Sequence, residues 1–266
     1  MREVWVWRRW TRWPLTPAIL LVAAGVIGLD VVAAWRDWAL GHLGPVAMSP
    51  ALPLGLVLAW MIGWGRLGLD RENLRAWREF LVVMGTVLVV GAWAWVSTLG
   101  KISEVFALVL GALDEELVYR LAVLMVIGAG CAALLGRSWR NPENWGLGPG
   151  VVAMFGSGLV FALLPGHVAQ MHDALGVVPF MSLGVVLAYA VLRTGALFPA
   201  VVVHASLNQV TIYAYHAAVP EAWRIAFSAC ALVALVAGTV VAGLRLGMLE
   251  PVPITEWRRQ MMRPNT

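Results

Sequence analysis

Charged residues are scarce in this sequence: of its 266 residues, only 13% are Asp, Glu, Lys or Arg. A soluble domain typically carries about 25% charged residues. Hydrophobic residues make up 61% of the chain, compared with about 45–50% in a soluble domain. This composition excludes an ordinary soluble enzyme and predicts an integral membrane protein.

Lysine and cysteine are nearly absent as well. Lys101 is the only lysine, so arginine carries almost all of the positive charge, and the net charge is +4. Arginines between membrane spans set the topology of a protein, so they do not indicate binding to nucleic acid. The two cysteines, Cys131 and Cys230, lie in apolar segments and predict neither a disulfide framework nor a cysteine-based metal site.

Several motifs of soluble enzymes are missing. The chain has no His-Glu-x-x-His motif, no Gly-x-Ser-x-Gly elbow and no glycine loop for phosphates. Two histidines and a glutamate could in principle supply metal ligands, but we predict neither a metal nor a cofactor. No Ser/Pro-rich linker, repeat or low-complexity segment divides the chain, which predicts one membrane domain over residues 1–266.

Apolar segments of about 20 residues, the usual length of a spanning helix, recur along the chain. The fourth segment is too long for a simple span, so we expect residues 103–114 to be a tilted or broken extension or a re-entrant piece. The pattern predicts an all-α polytopic bundle of about eight transmembrane helices, at 15–35, 46–65, 80–99, 104–136, 149–165, 176–192, 196–215 and 224–246.

Arginines are concentrated in alternate loops. The other loops carry few cations, namely Arg36, Lys101 and Arg224. The positive-inside rule then places both termini in the cytoplasm, in what we expect to be a bacterial inner membrane. The loops that are rich in arginine contain Arg66, Arg71, Arg75, Arg78, Arg137, Arg140, Arg193 and Arg245.

The N-terminal segment, residues 1–13, interleaves arginines with tryptophans. It resembles the charged region of a signal peptide, but many apolar segments follow it, which favours an uncleaved first anchor. Tryptophan and arginine suit the depth of the lipid headgroups, so we expect a helix at that depth.

The first of two polar motifs within apolar segments is Glu115-Glu116-Leu-Val-Tyr-Arg120. Charged side chains are costly in hydrocarbon and indicate a functional site. On one helix Glu116 and Arg120 share a face and can pair, whereas Glu115 is rotated by about 100° and can point elsewhere. Glu115 is therefore a candidate general base for a trapped water. A structural cluster that locks two helices together is the alternative.

The second motif is His204-Ala-Ser-Leu-Asn208, in which the histidine and the asparagine share a helix face. Together they could donate hydrogen bonds to one oxyanion, or they could simply bond to a neighbouring helix. A third candidate, His167, follows Pro165-Gly166. That pair should end the helix, so His167 could turn back over the pocket or remain an exposed loop histidine.

The order and spacing of these motifs resemble the CPBP family, which contains CAAX proteases and bacteriocin-processing enzymes and is also called Abi or Rce1-like. The lead-in Arg-x-Gly-x-Leu-x-Pro at residues 193–199 adds to the resemblance, which covers about residues 104–215, the catalytic core of the family. The middle motif of the family is Phe-x-x-x-His. Here Phe161 is followed at that spacing by Pro165; the nearest histidine is His167, and His172 is a less favoured substitute.

The resemblance implies an eight-helix intramembrane endopeptidase of the glutamic type, without a covalent intermediate. It implies that Glu115 activates the attacking water, while Glu116 and Arg120 support and orient the acid pair. By the same resemblance, His204 and Asn208 form the oxyanion hole, and the histidine of the middle motif, taken here as His167, helps to position the water.

The implied substrate is a membrane-anchored protein or peptide that is cleaved near its C-terminus. On the predicted topology the polar motifs converge in the outer half of the bilayer. That depth favours a sorting or processing enzyme like the myxosortase-type members over one that acts on cytoplasmic prenylated tails. Two other functions remain open. A non-catalytic binding or bacteriocin-immunity protein could keep the fold, and a transporter could use the same residues, because intramembrane Glu, Arg and His also build ion pathways.

Overall fold

The computed structural model describes residues 3–7, 10–43, 46–171 and 176–254. These residues form an all-α bundle with two small sheets, which confirms the predicted fold class. The helices are α1 (Pro17–Arg36), α2 (Ala51–Ile62), α3 (Arg71–Ala76), α4 (Arg78–Leu99), α5 (Ile102–Glu115), α6 (Leu124–Leu134), α7 (Leu147–Ala162), α8 (Pro165–Val168), α9 (Val177–Thr194), α10 (Phe198–His216) and α11 (Glu221–Arg245). The strands are β1 (Glu3–Trp7), β2 (Gly41–Leu43), β3 (Val46–Met48) and β4 (Leu249–Pro253).

Every predicted span coincides with a helix, but the helices differ in length. Among the described residues, five helices are long and apolar enough to cross a membrane: α1, α4, the helix Ile102–Leu134, α9 and α11. A sixth span is formed if α2 is joined to Gly65–Ala76, although the chain bends there by 102°. Because α7 has only 16 residues and α10 carries several polar side chains, the count of eight stays a prediction.

The fourth predicted span is one continuous helix rather than a broken or re-entrant one. Helices α5 and α6 are joined by a π-helical segment, Glu116–Val123, into a helix of 33 residues, Ile102–Leu134. At about 1.5 Å per residue this helix exceeds a hydrocarbon core of about 30 Å, so it must tilt or protrude. A π-helical segment inside an α-helix is frequently found at a functional site.

The helix Ile102–Leu134 lies at the centre of the bundle. Two thirds of its most apolar stretch (67%) is buried, whereas the other four spanning helices bury only 17–39%. The polar residues of its motif are therefore surrounded by protein instead of lipid, which is where charged groups in a membrane protein are tolerated.

The two ends of the described chain meet in an antiparallel sheet. Strand β1 pairs with β4 in the register Glu3↔Pro253 to Trp7↔Leu249. The predicted headgroup-level helix is therefore wrong for residues 3–7. The run Val-Trp-Val-Trp favours a strand, and its partner at the far end of the chain satisfies the backbone groups. This pairing places both ends on one side of the bundle, as an even number of spans requires.

Residues 10–13, which follow β1, contact the end of α9 and the loop before α10. The indole Nε1 of Trp13 donates to the carbonyl of Gly195 at 3.3 Å, and the guanidinium of Arg193 lies 3.6 Å from the ring centroid of Trp10. Gly195 has a φ of 79°, and a Cβ added there would come within 2.6 Å of the Thr11 hydroxyl. The Arg-x-Gly lead-in thus sets where α10 begins, and α10 carries His204.

Gly128 on α6 offers a test of this packing, because a Cβ there would collide with the buried indole of Trp145. We expect Gly128→Ala to lower the stability of the detergent-solubilised protein by about 1–3 kcal/mol, the usual cost of overpacking. Gly130→Ala is the matched control, since nothing lies within 4 Å of that position. The measurement is thermal unfolding; equal melting temperatures of the two variants would contradict the packing described here.

Candidate active site

The two acids of the first motif flank a single imidazole. Glu115 is the last residue of α5, and Glu116 opens the π-helical segment. His204 on α10 donates from Nδ1 to Glu116 Oε1 at 2.8 Å, while its Nε2 lies 3.5 Å from Glu115 Oε2. Glu115, which we expected to point away from Arg120, therefore faces the histidine of the second motif.

The two carboxylates differ sharply in their access to water. Glu116 is fully buried, and its second oxygen, Oε2, lies 3.4 Å from Nε of the equally buried Arg120. The predicted pairing of these two residues is therefore present. Glu115 has a side chain that is 32% exposed, although its Oε2, which faces His204, is buried and accepts no hydrogen bond among the described residues. Glu116 can hold its neighbours in place, whereas Glu115 can reach a water.

The buried ring of Phe161 on α7 joins the elements of the site. The Arg120 guanidinium lies 4.0 Å from its centroid, in the geometry of a cation–π contact. The centroids of Tyr119, His167 and His204 lie 5.6, 4.4 and 5.8 Å away, each in an edge-to-face arrangement. One phenylalanine thus contacts side chains from all three predicted motifs.

His167 is part of this cluster, despite its shifted position in the sequence. Pro165 ends the preceding turn and starts the short helix α8, which turns His167 back over α7. Its Nδ1 donates to the Phe161 carbonyl at 2.7 Å, and its ring stacks on Phe180 at 4.4 Å. Burial lowers the pKa of His167, an effect that the nearby Glu115 partly offsets, so the imidazole is neutral at pH 7.

Asn208 lies one helical turn beyond His204 and is half-buried. Within the described part of the chain its side chain makes no hydrogen bond, so its amide is available to a ligand.

Two other histidines lie away from the cluster: His42 is exposed on β2, and His216 packs against Trp95. His172, the less favoured substitute for His167, lies outside the described residues.

Asp30 on α1 belongs to none of the predicted motifs, yet it contacts the helix Ile102–Leu134, called the motif helix below. Its Oδ2 accepts a hydrogen bond from the Tyr119 hydroxyl at 2.6 Å, and its Oδ1 accepts one from Ser49 at 3.2 Å. The signal in the sequence was a carboxylate inside an apolar span. Its partner could not be identified, because Tyr119 lies 89 residues further along the chain.

An apolar cavity of about 390 Å³ adjoins this contact, between α1, the π-helical segment and the end of α7. Asp30 and Tyr119 are its polar lining residues, and aliphatic side chains such as Ile27, Val31 and Leu163 form the walls.

The described residues contain no group of three or more His, Cys, Asp or Glu that could hold a metal ion. A metal-free site stays a prediction.

Phe161 and His167 lie toward the side of the bundle that is opposite the β1–β4 sheet. The indole of Trp10, just after β1, donates to the carbonyl of Gly146 at 2.7 Å, so α7 begins on the side of the sheet. Helix α7 then crosses the bundle and delivers Phe161 and His167 at its far end.

A family model for Rce1-like proteins, described as type II CAAX prenyl endopeptidases, matches residues 80–210, about half of the chain. The matched region contains the acid pair, Phe161, His204 and Asn208, and it begins earlier than the core expected at about 104–215. Neither the curated proteins nor the solved structures provide a match. With its apolar spanning helices, this chain is an integral membrane protein that belongs to the CPBP family, in the Rce1-like group of CAAX-type intramembrane proteases.

Proposed function

We propose that the protein is a glutamic-type endopeptidase in which Glu115 activates a water molecule. One observation carries this proposal: Glu115 and Glu116 face opposite nitrogens of His204, but only Glu115 is open to water. Glu116 is neutralised by Arg120 and is closed off, which suits a supporting acid. A pair of carboxylates in such different surroundings can divide the roles of base and support.

The proposed reaction begins when Glu115 takes a proton from water and the oxygen attacks the carbonyl carbon of a peptide bond. His204, carrying both ring protons, would keep Nδ1–H on Glu116 and donate Nε2–H to the developing oxyanion. The free amide of Asn208 would supply the second donor. The tetrahedral intermediate then collapses, the C–N bond breaks, and the leaving amine receives the proton from Glu115.

His167 is proposed to hold the water or the substrate beside Glu115. Its Nδ1–H is occupied by the Phe161 carbonyl, so a neutral ring offers only Nε2, as a hydrogen-bond acceptor. An acceptor close to the general base could orient one hydrogen of the attacking water. Stacking on Phe180 restricts the ring to that orientation.

The orientation in the membrane bears on the substrate. Arg193 and Arg245 end helices on the side of the β1–β4 sheet, whereas Arg36 and Lys101 lie where helices end or begin on the other side. By the positive-inside rule, we propose that both termini face the cytoplasm of a bacterial inner membrane. Because His167 lies beyond the other end of α7, we propose that the site opens outward. We therefore propose a membrane-anchored substrate that is trimmed near its C-terminal anchor, as in sorting or processing by myxosortase-type members.

Replacement of the base tests the reaction. We expect Glu115→Gln to abolish cleavage, because an amide cannot accept the proton of water, while the bundle stays folded. Membrane proteomics should then find a protein with an uncleaved C-terminal anchor in the mutant cells. Glu221→Gln, the same change at an exposed position on α11, should leave processing normal. An unchanged proteome with well-expressed Glu115→Gln protein would favour a non-catalytic binding or immunity function.

Asn208 provides a second test, since its amide bonds to no other described residue. We expect Asn208→Ala to slow processing by about a hundredfold, the usual loss for an oxyanion donor. Thermal stability should hardly change, because no hydrogen bond within the protein is broken. Asn141→Ala, at an exposed asparagine without a capping bond, is the control. A large loss of stability with normal processing would contradict the role.

The topology can be tested by thiol labelling in a variant that lacks Cys131 and Cys230. We expect Gln170→Cys, in the exposed turn after α8, to react with an impermeant maleimide in intact spheroplasts. Arg75→Cys, on the side of the termini, should react only after permeabilisation. The reverse pattern would place the site at the cytoplasmic face and exclude an extracytoplasmic sorting enzyme.

A further inference from the structure

We propose that Asp30 is a positioning residue for the acid pair, and that it acts by holding the hydroxyl of Tyr119. The inference rests on the proposed function, because it concerns how Glu115 and Glu116 come to face the same imidazole. Asp30 lies on the first spanning helix and touches neither acid in any hydrogen bond of the described residues. Its link to the site runs through the π-helical segment that follows Glu115.

Tyr119 is held at three points within that segment. Its hydroxyl donates to Asp30 Oδ2 at 2.6 Å, a distance typical of a bond to a charged acceptor. Its backbone carbonyl accepts a hydrogen bond from the hydroxyl of Ser157 on α7 at 2.6 Å. Its ring packs edge-to-face on Phe161. Two helices, α1 and α7, therefore set the position of this one residue of the π-helical segment.

The segment needs such support because π-helical backbone is rare and usually limited to a single turn, whereas this segment has eight residues. On a regular α-helix, adjacent residues point about 100° apart, so two neighbouring carboxylates diverge. Here both reach the ring of His204, at 2.8 and 3.5 Å. The π-helical segment that starts at Glu116 accompanies this convergence, and the Asp30–Tyr119 bond is a side-chain hydrogen bond that ties the segment to α1.

The same bond also fixes the surroundings of Asp30. Ser49, which lies just before α2, donates to the other oxygen of Asp30 and accepts a bond from the backbone of Ala51 at 3.1 Å. The carboxylate thus joins α1, the start of α2 and the motif helix. Loss of the Tyr119 hydroxyl would release the π-helical segment and leave one oxygen of Asp30 unpaired, without altering any group that contacts the reacting atoms.

The experiment compares Tyr119→Phe, Asp30→Asn and the double variant in purified full-length protein. The probe is a synthetic peptide that spans the cleavage site of the precursor found in Glu115→Gln cells. We expect Tyr119→Phe to lower kcat about tenfold while KM stays within about twofold, because a bond to a charged group is lost away from the substrate. The double variant should be no slower than Tyr119→Phe, since Asp30→Asn only removes the charge of the acceptor in the same hydrogen bond, which Tyr119→Phe has already removed.

Tyr215→Phe is the matched control, because it removes the hydroxyl of a tyrosine that is 70% exposed. Hydrogen exchange, followed by mass spectrometry, gives a second readout that needs no substrate. Peptides over residues 113–123 should exchange faster in Tyr119→Phe than in the wild type or in Tyr215→Phe. A merely structural bond would lower the melting temperature without this local change and without the kcat effect.

Two outcomes would overturn the inference: unchanged kcat and exchange in Tyr119→Phe, or losses in kcat that multiply in the double variant. Failure of the proposed function looks different. In that case no precursor accumulates in Glu115→Gln cells, yet faster exchange over residues 113–123 in Tyr119→Phe would still support the link from Asp30 to the π-helical segment.

Discussion

The burial of a charged carboxylate in the centre of a membrane bundle is the constraint on which the rest of the structure depends. Glu116 has no contact with water, so its charge must be compensated within the protein. Arg120 and His204 provide this compensation from one helix turn further along and from α10. Breaking either contact of Glu116 would leave a buried charge without a partner, which is costly in free energy. The two contacts therefore hold the motif helix and α10 together.

Because Glu116 sets how these two helices pack, the neighbouring acid Glu115 is left to serve the proposed reaction. Glu115 need not compensate a buried cation, so it keeps one side toward water while His204 approaches it from the other. Phe161 closes the space behind the imidazole and covers the guanidinium of Arg120. Low dielectric surroundings strengthen the interactions of these groups, which is the property that a membrane-embedded hydrolase requires. The family to which the chain belongs is one of CAAX-type intramembrane proteases, and the geometry of the cluster supports the proposed role of Glu115.

Patterns within one helix were predictable. The positions of the apolar segments match the helices, and the spacing of Glu116 and Arg120 predicted their contact. The break at Pro165-Gly166 predicted that His167 could turn back over the pocket, and the structure brings its ring onto Phe161. The strand over residues 3–7 was not predicted, because its partner is the other end of the chain, and neither tryptophan nor valine excludes a helix.

The sequence by itself determined the membrane environment, the helical bundle and the identity of the polar residues, because these follow from hydropathy and from spacing along one helix. Only the tertiary structure decided that both acids face His204, that Tyr119 bonds to Asp30 and that β1 pairs with β4. Each of these contacts joins residues that are far apart in the chain. Their geometry depends on how whole helices pack and on a π-helical segment, and neither leaves a periodic signal in the sequence.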